Sequence, residues 1–536
     1  MTSTIEAKTV DYIVIGGGSS GCALAGRLSE DANTSVTLLE AGGDGDTWIV
    51  NTPAAVVLMV PQTLNSWGFE TVPQIGLDGR RGYQPRGKVL GGSSSINAMA
   101  YIRGHQSDYD EWAAMGNTGW SFQDVLPYFL KSEHNHAINN EWHGQDGPLS
   151  VSNLRTDNPF QQHYLKAAGQ AGYPVNNDFN GAEQEGLGVY QVTQINGERC
   201  SSYRAYLLPH MGTRPNLAVE TGAMTQRILF EGKRAVGVEF RQGGQLKKMM
   251  ARREVVLSAG AFQSPQLLML SGIGDSAELQ KHGIPVVHHL PGVGKNLKDH
   301  PDFIFAYKSN DQNLLGLSLQ GGINLFKQIL RYRRERRGMI TSNFAECGGF
   351  LKTRPELKAP DIQLHFVIAL VDDHARKLHM GHGFSCHVCL LRPKSSGTVS
   401  LQDANAETPP LIDPNFLGHP DDVEDLVAGY KLTDRLMKAP ALAQYITKDL
   451  FTADVKTDDE IRAILRQRVD TVYHPVGSCK MGVDAMAVVD PSLKVHGVEG
   501  LRVVDASVMP TIIGGNTNAP AIMIAEKAAD MMKRGM

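Results

Sequence analysis

The 536-residue sequence is short of cysteine, of long apolar runs and of excess charge, and each shortage excludes a class of protein. Six scattered cysteines are too few for a disulfide framework. The sequence contains no run of about 18 apolar residues, so we predict no helix that crosses a membrane. A net charge of −4 gives no general attraction to nucleic acid, so we expect no nucleic-acid partner.

The N-terminal stretch "MTSTIEAKTVDYIVIGGG" has neither the basic nor the apolar region of a secretory signal. We therefore expect an intracellular protein with free thiols, in the cytoplasm or peripheral on the cytoplasmic face of the inner membrane. One C-x-x-C, at Cys386 and Cys389, suits either a metal or redox site or a strand that carries two thiols. No second C-x-x-C completes a four-ligand site, which favours the strand, and we expect no metal.

The most informative motif is the glycine pattern G-x-G-x-x-G at Gly16, Gly18 and Gly21. An apolar strand pattern at 10–15 precedes these glycines, and a helical pattern at 22–30 follows them. Strand, glycines and helix in this order predict a βαβ unit, whose glycines let the backbone approach a pyrophosphate at the N-terminus of the helix. The alternative is an α/β unit with a tight turn and no ligand.

A second strand pattern at 35–40 ends on Glu40, 19 residues after Gly21. A βαβ unit places at this point the carboxylate that holds a ribose hydroxyl. Because an acidic residue would repel a 2′-phosphate, the expected dinucleotide is NAD or FAD, and this motif alone does not separate the two.

Five downstream segments resemble, in family order, the signature motifs of the glucose–methanol–choline (GMC) oxidoreductases. The first and second signatures are "GKVLGGSSSINAMAYIRGHQSDYD" (87–110) and "GAFQSPQLLMLSGIG" (260–274). The remaining elements are "PGVGKNLKDHP" (291–301), "VYHPVGSCKMG" (472–482) and "LRVVDASVMPTIIGGNTNAPAIMIAEKAADMM" (501–532). Within the second signature, Ser264 and Pro265 predict the N-cap and first residue of a helix that ends at Gly272.

The resemblance implies FAD as the cofactor and a fold of the α/β plus α+β class. A Rossmann-like FAD-binding domain would combine residues 1–155, 200–310 and 465–536. A substrate-binding domain, built on an antiparallel sheet backed by helices, would use 156–199 and 311–464. The resemblance also implies the residues around FAD, which are Gly16, Gly18, Ser19, Ser20, Gly21, Glu40, Ala41, Trp67, Arg86, Gly87, Leu90, Gly91, Gly92, Ser93, Asn97, Ala98, Met99, Ala100, Met224, Thr225, Ala259, Gly260, Tyr473, His474, Asp505, Ala506, Asn516, Thr517 and Asn518.

Oxidation of an alcohol by a flavin needs a protein base for the hydroxyl proton while a hydride passes to flavin N5. The resemblance assigns this base to His474, and the alternative is a histidine that caps a turn before Pro475. It assigns the second catalytic position to Asn516, whose amide can hydrogen-bond the substrate oxygen, with Asn518 as a nearby competitor. Some family members attach FAD covalently through a histidine before Asn97. Ile96 occupies that position here, which predicts non-covalent FAD.

The resemblance is to a bacterial branch that includes choline dehydrogenases, aliphatic alcohol dehydrogenases and polyethylene glycol dehydrogenases. The segment "DDHARKLHMGHGF" (372–384) is more similar to the aliphatic alcohol and glycol members. We therefore expect a primary alcohol with a long apolar or polyether tail, small or polymeric. Glu346 either supplies the anion that holds a choline cation or is a buried structural carboxylate.

The sequence carries no second nucleotide motif, haem C-x-x-C-H or iron–sulfur cysteine run, so its electrons must leave for an external acceptor. The branch implies a membrane quinone or dye-like acceptor. The alternatives are a choline dehydrogenase, an alcohol oxidase that uses oxygen, a lyase in which FAD is only structural, and a dinucleotide-binding regulator without turnover. A base beside the flavin argues against the regulator.

One amphipathic segment, "INLFKQILRYRRERRGM" (323–339), bears on a membrane partner. An apolar stripe at Ile323, Phe326, Ile329 and Leu330 precedes five arginines. Basic amphipathic helices lie on anionic membrane surfaces, which supports the hypothesis of a peripheral membrane protein. The alternative is an ordinary helix that packs its apolar stripe on the core.

Overall fold

A computed structural model describes residues 8–536. Residues 1–7, where the first predicted domain segment begins and on which the expectation of no secretory signal partly depends, lie outside the described residues. The strands are β1 Lys8–Ile15, β2 Val36–Leu39, β3 Phe69–Glu70, β4 Tyr83–Gln84, β5 Glu133–Asn135, β6 Leu149–Val151, β7 Gly186–Val189, β8 Gln194–Ile195, β9 Glu198–Arg199, β10 Leu217–Glu220, β11 Met224–Glu231, β12 Arg234–Gln242, β13 Gln245–Leu257, β14 Ile273–Gly274, β15 His288–His289, β16 Pro301–Ser309, β17 Gly316–Leu317, β18 Cys347–Leu351, β19 Ile362–Val367, β20 Gly381–Leu390, β21 Thr398–Ser400, β22 Leu411–Asp413, β23 Lys448–Asp449, β24 Asp470–Thr471 and β25 Leu501–Val503. The helices are α1 Ser19–Leu28, α2 Trp48–Asn51, α3 Val56–Met59, α4 Gln106–Ala114, α5 Phe122–Ser132, α6 Phe160–Gln170, α7 Ser202–Tyr206, α8 Gly260–Leu270, α9 Ser276–Lys281, α10 Leu319–Glu335, α11 Pro420–Met437, α12 Pro440–Ala443, α13 Asp458–Arg468 and α14 Asn518–Lys533.

The first large sheet has the strand order β10-β2-β1-β13-β12-β11, with β25 beside β13. Its strands β10, β2, β1, β13 and β25 pair in parallel, while β12 and β11 continue it antiparallel. The last six residues of β1 are buried, as expected of a strand covered on both faces, and this explains the nearly continuous apolar run at 10–15. The predicted βαβ unit is therefore present as β1, α1 and β2.

The second large sheet has the order β23-β16-β20-β19-β18-β7, with β17 beside β20 and β24 beside β16. All of these strands pair antiparallel. Buried side chains of β16, β19 and β20 share one apolar core with α6, α11 and α13, so helices back this sheet. The predicted fold class is confirmed. The domain boundaries stay a prediction, and β16 and β24 of this second sheet come from ranges predicted for the FAD domain.

Helices α1 and α14 hold the βαβ unit against the C-terminal segment. The hydroxyl of Ser20 donates a 2.7 Å hydrogen bond to the carbonyl of Ala521. One turn further along, the fully buried carboxylate of Glu526 accepts hydrogen bonds from Arg27 Nε at 2.9 Å and from the hydroxyl of Tyr206 at 2.7 Å. A buried carboxylate is stable only when it is paired and hydrogen-bonded in this way.

Helix α8 begins earlier than the sequence predicts. The predicted N-cap and first residue, Ser264 and Pro265, lie inside a helix that starts at Gly260. A proline inside a helix cannot donate to the carbonyl four residues back, which is that of Ala261. The hydroxyl of Ser478 donates a 2.5 Å hydrogen bond to this carbonyl instead. A tertiary contact from a distant segment thus allows the helix to include its proline.

The two thiols of the C-x-x-C lie on one strand, as favoured above. Cys386 and Cys389 are both buried within β20, and the described residues contain no cluster of histidine, cysteine or acidic side chains that could hold a metal ion. No helix among residues 8–536 is long and apolar enough to cross a membrane. Helix α10 forms, but its apolar stripe is exposed, so the alternative of an ordinary helix that packs this stripe on the core is wrong.

Replacement of Gly21 by alanine should destabilise the βαβ unit. A Cβ atom at Gly21 would lie 1.9 Å from the carbonyl oxygen of Gly16, while one at the exposed Gly43 meets nothing within 4 Å. We expect Gly21→Ala to cost about 3 kcal/mol of stability or more and to lower the midpoint of thermal unfolding by several degrees. Gly43→Ala is the matched control, and equal midpoints for the two variants would contradict this explanation.

Candidate active site

One large cavity, of about 1280 Å³, lies where the two sheets meet. Its walls include the ends of β1 and β2 from the first sheet and side chains of β19 and β20 from the second. Open α/β sheets bind ligands beyond the carboxyl ends of their parallel strands. This cavity exceeds the 300–1,000 Å³ of a typical small-molecule site, so it has room for a dinucleotide and a second molecule.

Most of the predicted FAD and catalytic residues line this cavity. They are Gly16, Gly18, Ser19, Ser20, Glu40, Ala41, Trp67, Arg86, Gly87, Gly92, Ser93, Asn97, Ala98, Met99, Ala100, Met224, Thr225, Ala259, Gly260, Tyr473, His474, Asp505, Ala506, Asn516, Thr517 and Asn518. The assembly therefore brings together five segments that are far apart in the sequence.

Three of the predicted cofactor residues lie behind the wall instead. Gly21 packs against the carbonyl of Gly16 and leaves no room for a side chain. Leu90 is buried in the apolar core. The N–H of Gly91 donates to the carbonyl of Gly17 at 2.7 Å. These residues shape the two loops that form the wall, and a contact between them and FAD stays a prediction.

Glu346, predicted either as a substrate contact or as a structural carboxylate, also lies outside the cavity. Its side chain is fully buried and accepts hydrogen bonds from the hydroxyl of Ser342 at 2.7 Å and from Gln161 Nε2 at 2.8 Å. Burial raises the pKa of this carboxyl. The geometry thus favours the structural carboxylate, because Glu346 is not among the residues that line the cavity.

Three helices begin at the cavity wall, although at the start of α8 the carboxylate of Asp505 already accepts from the N–H of Gly260. The N-cap residues Gly18 of α1, Ala259 of α8 and Thr517 of α14 all line the cavity, and none forms a side-chain capping bond. Backbone N–H groups at a helix start and the positive end of the helix dipole favour an anion. A long, negatively charged ligand such as FAD fits this arrangement.

Glu40 stands at the end of β2, where the sequence predicts the ribose carboxylate. Its two oxygens accept hydrogen bonds from the backbone N–H groups of Gly17 at 2.8 Å and Gly42 at 2.7 Å. Burial is the main cause that raises its pKa, to about 7, and these two N–H groups oppose the shift. Each carboxylate oxygen can accept more than one hydrogen bond, so Glu40 retains capacity for a sugar hydroxyl.

The glycines of the motif serve two different purposes. A Cβ atom at Gly16 would lie 2.5 Å from the carbonyl oxygen of Ser258, so Gly16 permits close packing of β1 against the end of β13. A Cβ atom at Gly18 would meet only that same oxygen, at 3.8 Å, and would project toward open space. Gly18 thus leaves room for a ligand that approaches the start of α1.

His474 is held by a chain of hydrogen bonds that fixes its tautomer. His300 Nε2 lies 3.1 Å from the carbonyl of Leu391, which can only accept, so Nε2 of His300 carries the hydrogen. Burial lowers the pKa of His300 to about 3, which keeps this imidazole neutral and leaves its Nδ1 as an acceptor. His300 Nδ1 lies 3.0 Å from His474 Nδ1, so His474 Nδ1 carries the hydrogen. The lone pair of His474 is therefore on Nε2.

Asn516 lies beside that lone pair. Asn516 Nδ2 is 3.1 Å from His474 Nε2, and Gln363 Nε2 donates a 2.9 Å hydrogen bond to Asn516 Oδ1, which orients the amide. Asn518 instead accepts a 2.8 Å hydrogen bond from the hydroxyl of Ser19 at the start of α1. The geometry places Asn516, rather than its competitor Asn518, next to His474.

The loop before His474 is also fixed on its backbone. Asp299 Oδ1 accepts a 2.9 Å hydrogen bond from the N–H of His474. Tyr473 has φ of +76°, a conformation that residues other than glycine rarely adopt, and its carbonyl accepts from Arg86 Nη2 at 2.9 Å. Residues in such conformations persist only where their surroundings hold them, and they cluster at functional sites.

Sequence reasoning missed His365, which also lines the cavity. It is buried, and neither ring nitrogen has a hydrogen-bond partner among the described residues, although Asn516 is close enough to influence its titration. Burial lowers its pKa to about 3. An imidazole without a partner at the wall of a cavity can donate to, or accept from, a bound molecule.

Comparisons with known proteins identify the family of the chain. Two models of the GMC oxidoreductase family match the chain, over residues 10–302 and 393–525. A protein of Pseudomonas putida named alcohol dehydrogenase (acceptor) is 46% identical, over 98% of this chain and 96% of the relative. The mitochondrial choline dehydrogenase of Homo sapiens is 44% identical, over 97% of this chain and 89% of the relative.

Two solved structures are similar over nearly the whole chain. A variant of formate oxidase from Aspergillus oryzae RIB40 has a TM-score of 0.92 and 28% identity, over 98% of each chain. An FAD-dependent oxidoreductase from Chaetomium thermophilum has a TM-score of 0.89 and 28% identity, over 98% of this chain and 99% of the other. The chain belongs to the GMC oxidoreductase family.

Proposed function

We propose that this protein oxidises a primary alcohol with a medium or long aliphatic chain, or a polyether glycol, to the aldehyde and passes the electrons to a quinone-like acceptor. The broader statements are established by family membership: the protein is an FAD-binding flavoprotein and an alcohol-oxidising enzyme. The observation that supports the oxidation of an alcohol best is the neutral His474, with its Nε2 lone pair fixed toward Asn516 at the wall of the FAD cavity.

His474 and Asn516 have different roles at the substrate hydroxyl. His474 Nε2 accepts the hydroxyl proton, since its Nδ1 already carries a hydrogen. Asn516 Nδ2 now donates to the same lone pair, so a substrate hydroxyl would take its place there while the amide donates to the substrate oxygen and stabilises its negative charge. Bound FAD supplies the hydride acceptor. Residues that would hold it are Glu40 and the starts of α1, α8 and α14.

The charges of the cavity support an uncharged substrate over choline. Its only carboxylates among the described residues are Glu40 and Asp505. Asp505 accepts from the N–H of Gly260 at 2.9 Å and from the hydroxyl of Ser264 at 2.6 Å, so it stabilises the start of α8. Choline would require an anion near its ammonium group, and Glu346 does not reach the cavity.

The electron acceptor is proposed from the names of relatives, because the sequence contains no motif for a second redox centre. The Pseudomonas putida relative is named for an unspecified acceptor, and relatives from Vibrio vulnificus and other bacteria are named oxygen-dependent choline dehydrogenases. A quinone-like acceptor is the favoured proposal, and oxygen is the alternative that the experiment must separate from it.

Anaerobic mixing with single alcohols tests the substrate. We expect 1-octanol or a polyethylene glycol to bleach the flavin band near roughly 450 nm, and choline to bleach it far more slowly. A quinone should then restore the colour quickly, whereas oxygen should restore it slowly. Bleaching by choline alone would move the substrate to choline, and fast recovery in oxygen would make the enzyme an oxidase. No bleaching by any alcohol would contradict the proposed reaction.

The pH dependence of flavin reduction tests the base. Burial, His300, His365 and Arg86 lower the pKa of His474 well below its ordinary value of 6.5. The neutral base therefore persists as the pH falls, and the rate should decrease only below pH 6.5. His474→Ala should slow reduction by about 10²–10⁴-fold, while His289→Ala, at an exposed histidine, should not. A decrease that begins well above pH 6.5 would argue against His474.

Acid precipitation tests the attachment of FAD. Ile96 lines the cavity where other members carry a linking histidine, and it has no atom that could bond to the flavin. We expect all yellow colour to stay in the supernatant after acid treatment. Yellow colour in the washed protein pellet would show a covalent bond and would contradict the prediction of non-covalent FAD.

A further inference from the structure

Helix α10 is amphipathic, but its polar side faces the protein. Across its 17 residues, Leu319 is 86% exposed, Phe326 63% and Leu330 51%, whereas Tyr332 is only 7% exposed. The side chains on the protein side belong to Asn324, Gln328, Arg331, Tyr332 and Glu335. A helix on a water-soluble surface normally buries its apolar stripe, so this orientation leaves the apolar face without a partner.

The exposed apolar surface continues to the mouth of the FAD cavity. Several exposed apolar residues also line the cavity, and we name this group the apolar rim. Its members are Val57, Leu58, Leu317, Leu319, Leu325, Leu378 and Met380. They come from three segments, and Leu319 and Leu325 join the rim to α10. Scattered exposed apolar residues are normal, but a contiguous group around an opening marks an interaction site.

Basic side chains border this surface. Residues 319–338 contain six basic side chains and one acidic one, in a chain whose net charge is −4. Arg331, Arg334 and Arg336 form ion pairs with neighbouring carboxylates. Lys327 and Arg333 are exposed, and no ion pair is found for either among the described residues. The surface thus combines apolar groups with positive charge at their edge.

We propose that the outer face of α10 and the apolar rim dock on an anionic lipid bilayer, with the cavity opening toward the hydrocarbon. An interfacial helix of this kind buries its apolar face in the headgroup boundary, and its cations meet anionic lipids. A second copy of the chain is a poorer occupant, because it would bring a second surface with the same excess of basic side chains against this one. The docking itself does not depend on the proposed function, but the entry of apolar alcohols from the bilayer does.

Sedimentation of the holoenzyme with vesicles tests the docking. The probes are vesicles of phosphatidylglycerol mixed with phosphatidylcholine, and vesicles of phosphatidylcholine alone, at low and high salt. We expect binding to the anionic vesicles at low salt and weaker binding at high salt or without the anionic lipid. Phe326→Gln with Leu330→Gln should weaken binding at least about tenfold, because two large side chains lose their burial.

Matched variants keep the result interpretable. Ile75→Gln and Leu246→Gln replace exposed apolar residues that do not line the cavity, and they should leave binding unchanged. Flavin content and reduction by a water-soluble short-chain alcohol should be equal in all variants, since Phe326 and Leu330 lie outside the cavity wall. Normal binding with no alcohol oxidation would leave the docking intact and overturn only the proposed function.

Three results would overturn the docking. One is a holoenzyme that stays in the supernatant with anionic vesicles at low salt. Another is a concentration-dependent dimer that Phe326→Gln with Leu330→Gln abolishes while vesicle binding is unchanged, which would assign the surface to a second copy of the chain. Equal vesicle binding by the α10 variant and the Ile75→Gln control would equally exclude this face.

Discussion

The site depends on backbone segments that approach one another more closely than any side chain would permit. The turn after β1 lies against the end of β13 at Gly16 and Ser258, and Gly92 brings the loop of the first signature against Gly18, where a Cβ atom would lie 2.7 Å from the Gly18 Cα. These contacts bring the starts of α1 and α8 to one wall of the cavity, and α14 is held there by its packing on α1. The N-terminal ends of α1 and α14 then create the positive region that an anionic cofactor needs, while the carboxylate of Asp505 already bonds to the start of α8.

The base His474 lies beside Asn516, just before the start of α14, and side chains of the second sheet position it. His300 directly precedes β16, its hydrogen-bond partner Leu391 directly follows β20, and Gln363 and His365 belong to β19. Residues of this sheet and its ends therefore fix the tautomer of His474 and the orientation of its neighbour Asn516. The cofactor site of one sheet and the proton acceptor of the other meet only when both sheets are assembled, which explains why the active site coincides with their junction.

Local sequence was sufficient for the parts whose physics is local. The βαβ unit could be predicted because apolar runs, glycines and Glu40 lie within about thirty residues, and the family motifs identified the fold, His474 and Asn516. Other features depend on partners that sequence spacing does not reveal. His300 stands in a recognised motif, but its partner His474 is 174 residues away. Helix α8 begins before Pro265 because a distant hydroxyl replaces the missing hydrogen bond, and periodicity shows that α10 is amphipathic without showing which side faces outward.

The burial of every thiol has a practical consequence. All six cysteines are buried, and burial raises the pKa of each, so the native chain offers almost no thiolate to an alkylating reagent. Reaction then requires local opening. Cys22 lies on α1, the helix that begins at the cavity wall, whereas Cys347, Cys386 and Cys389 lie in the second sheet. Their separate alkylation rates would report local opening around each sheet and would reveal whether the two sheets open together or one at a time.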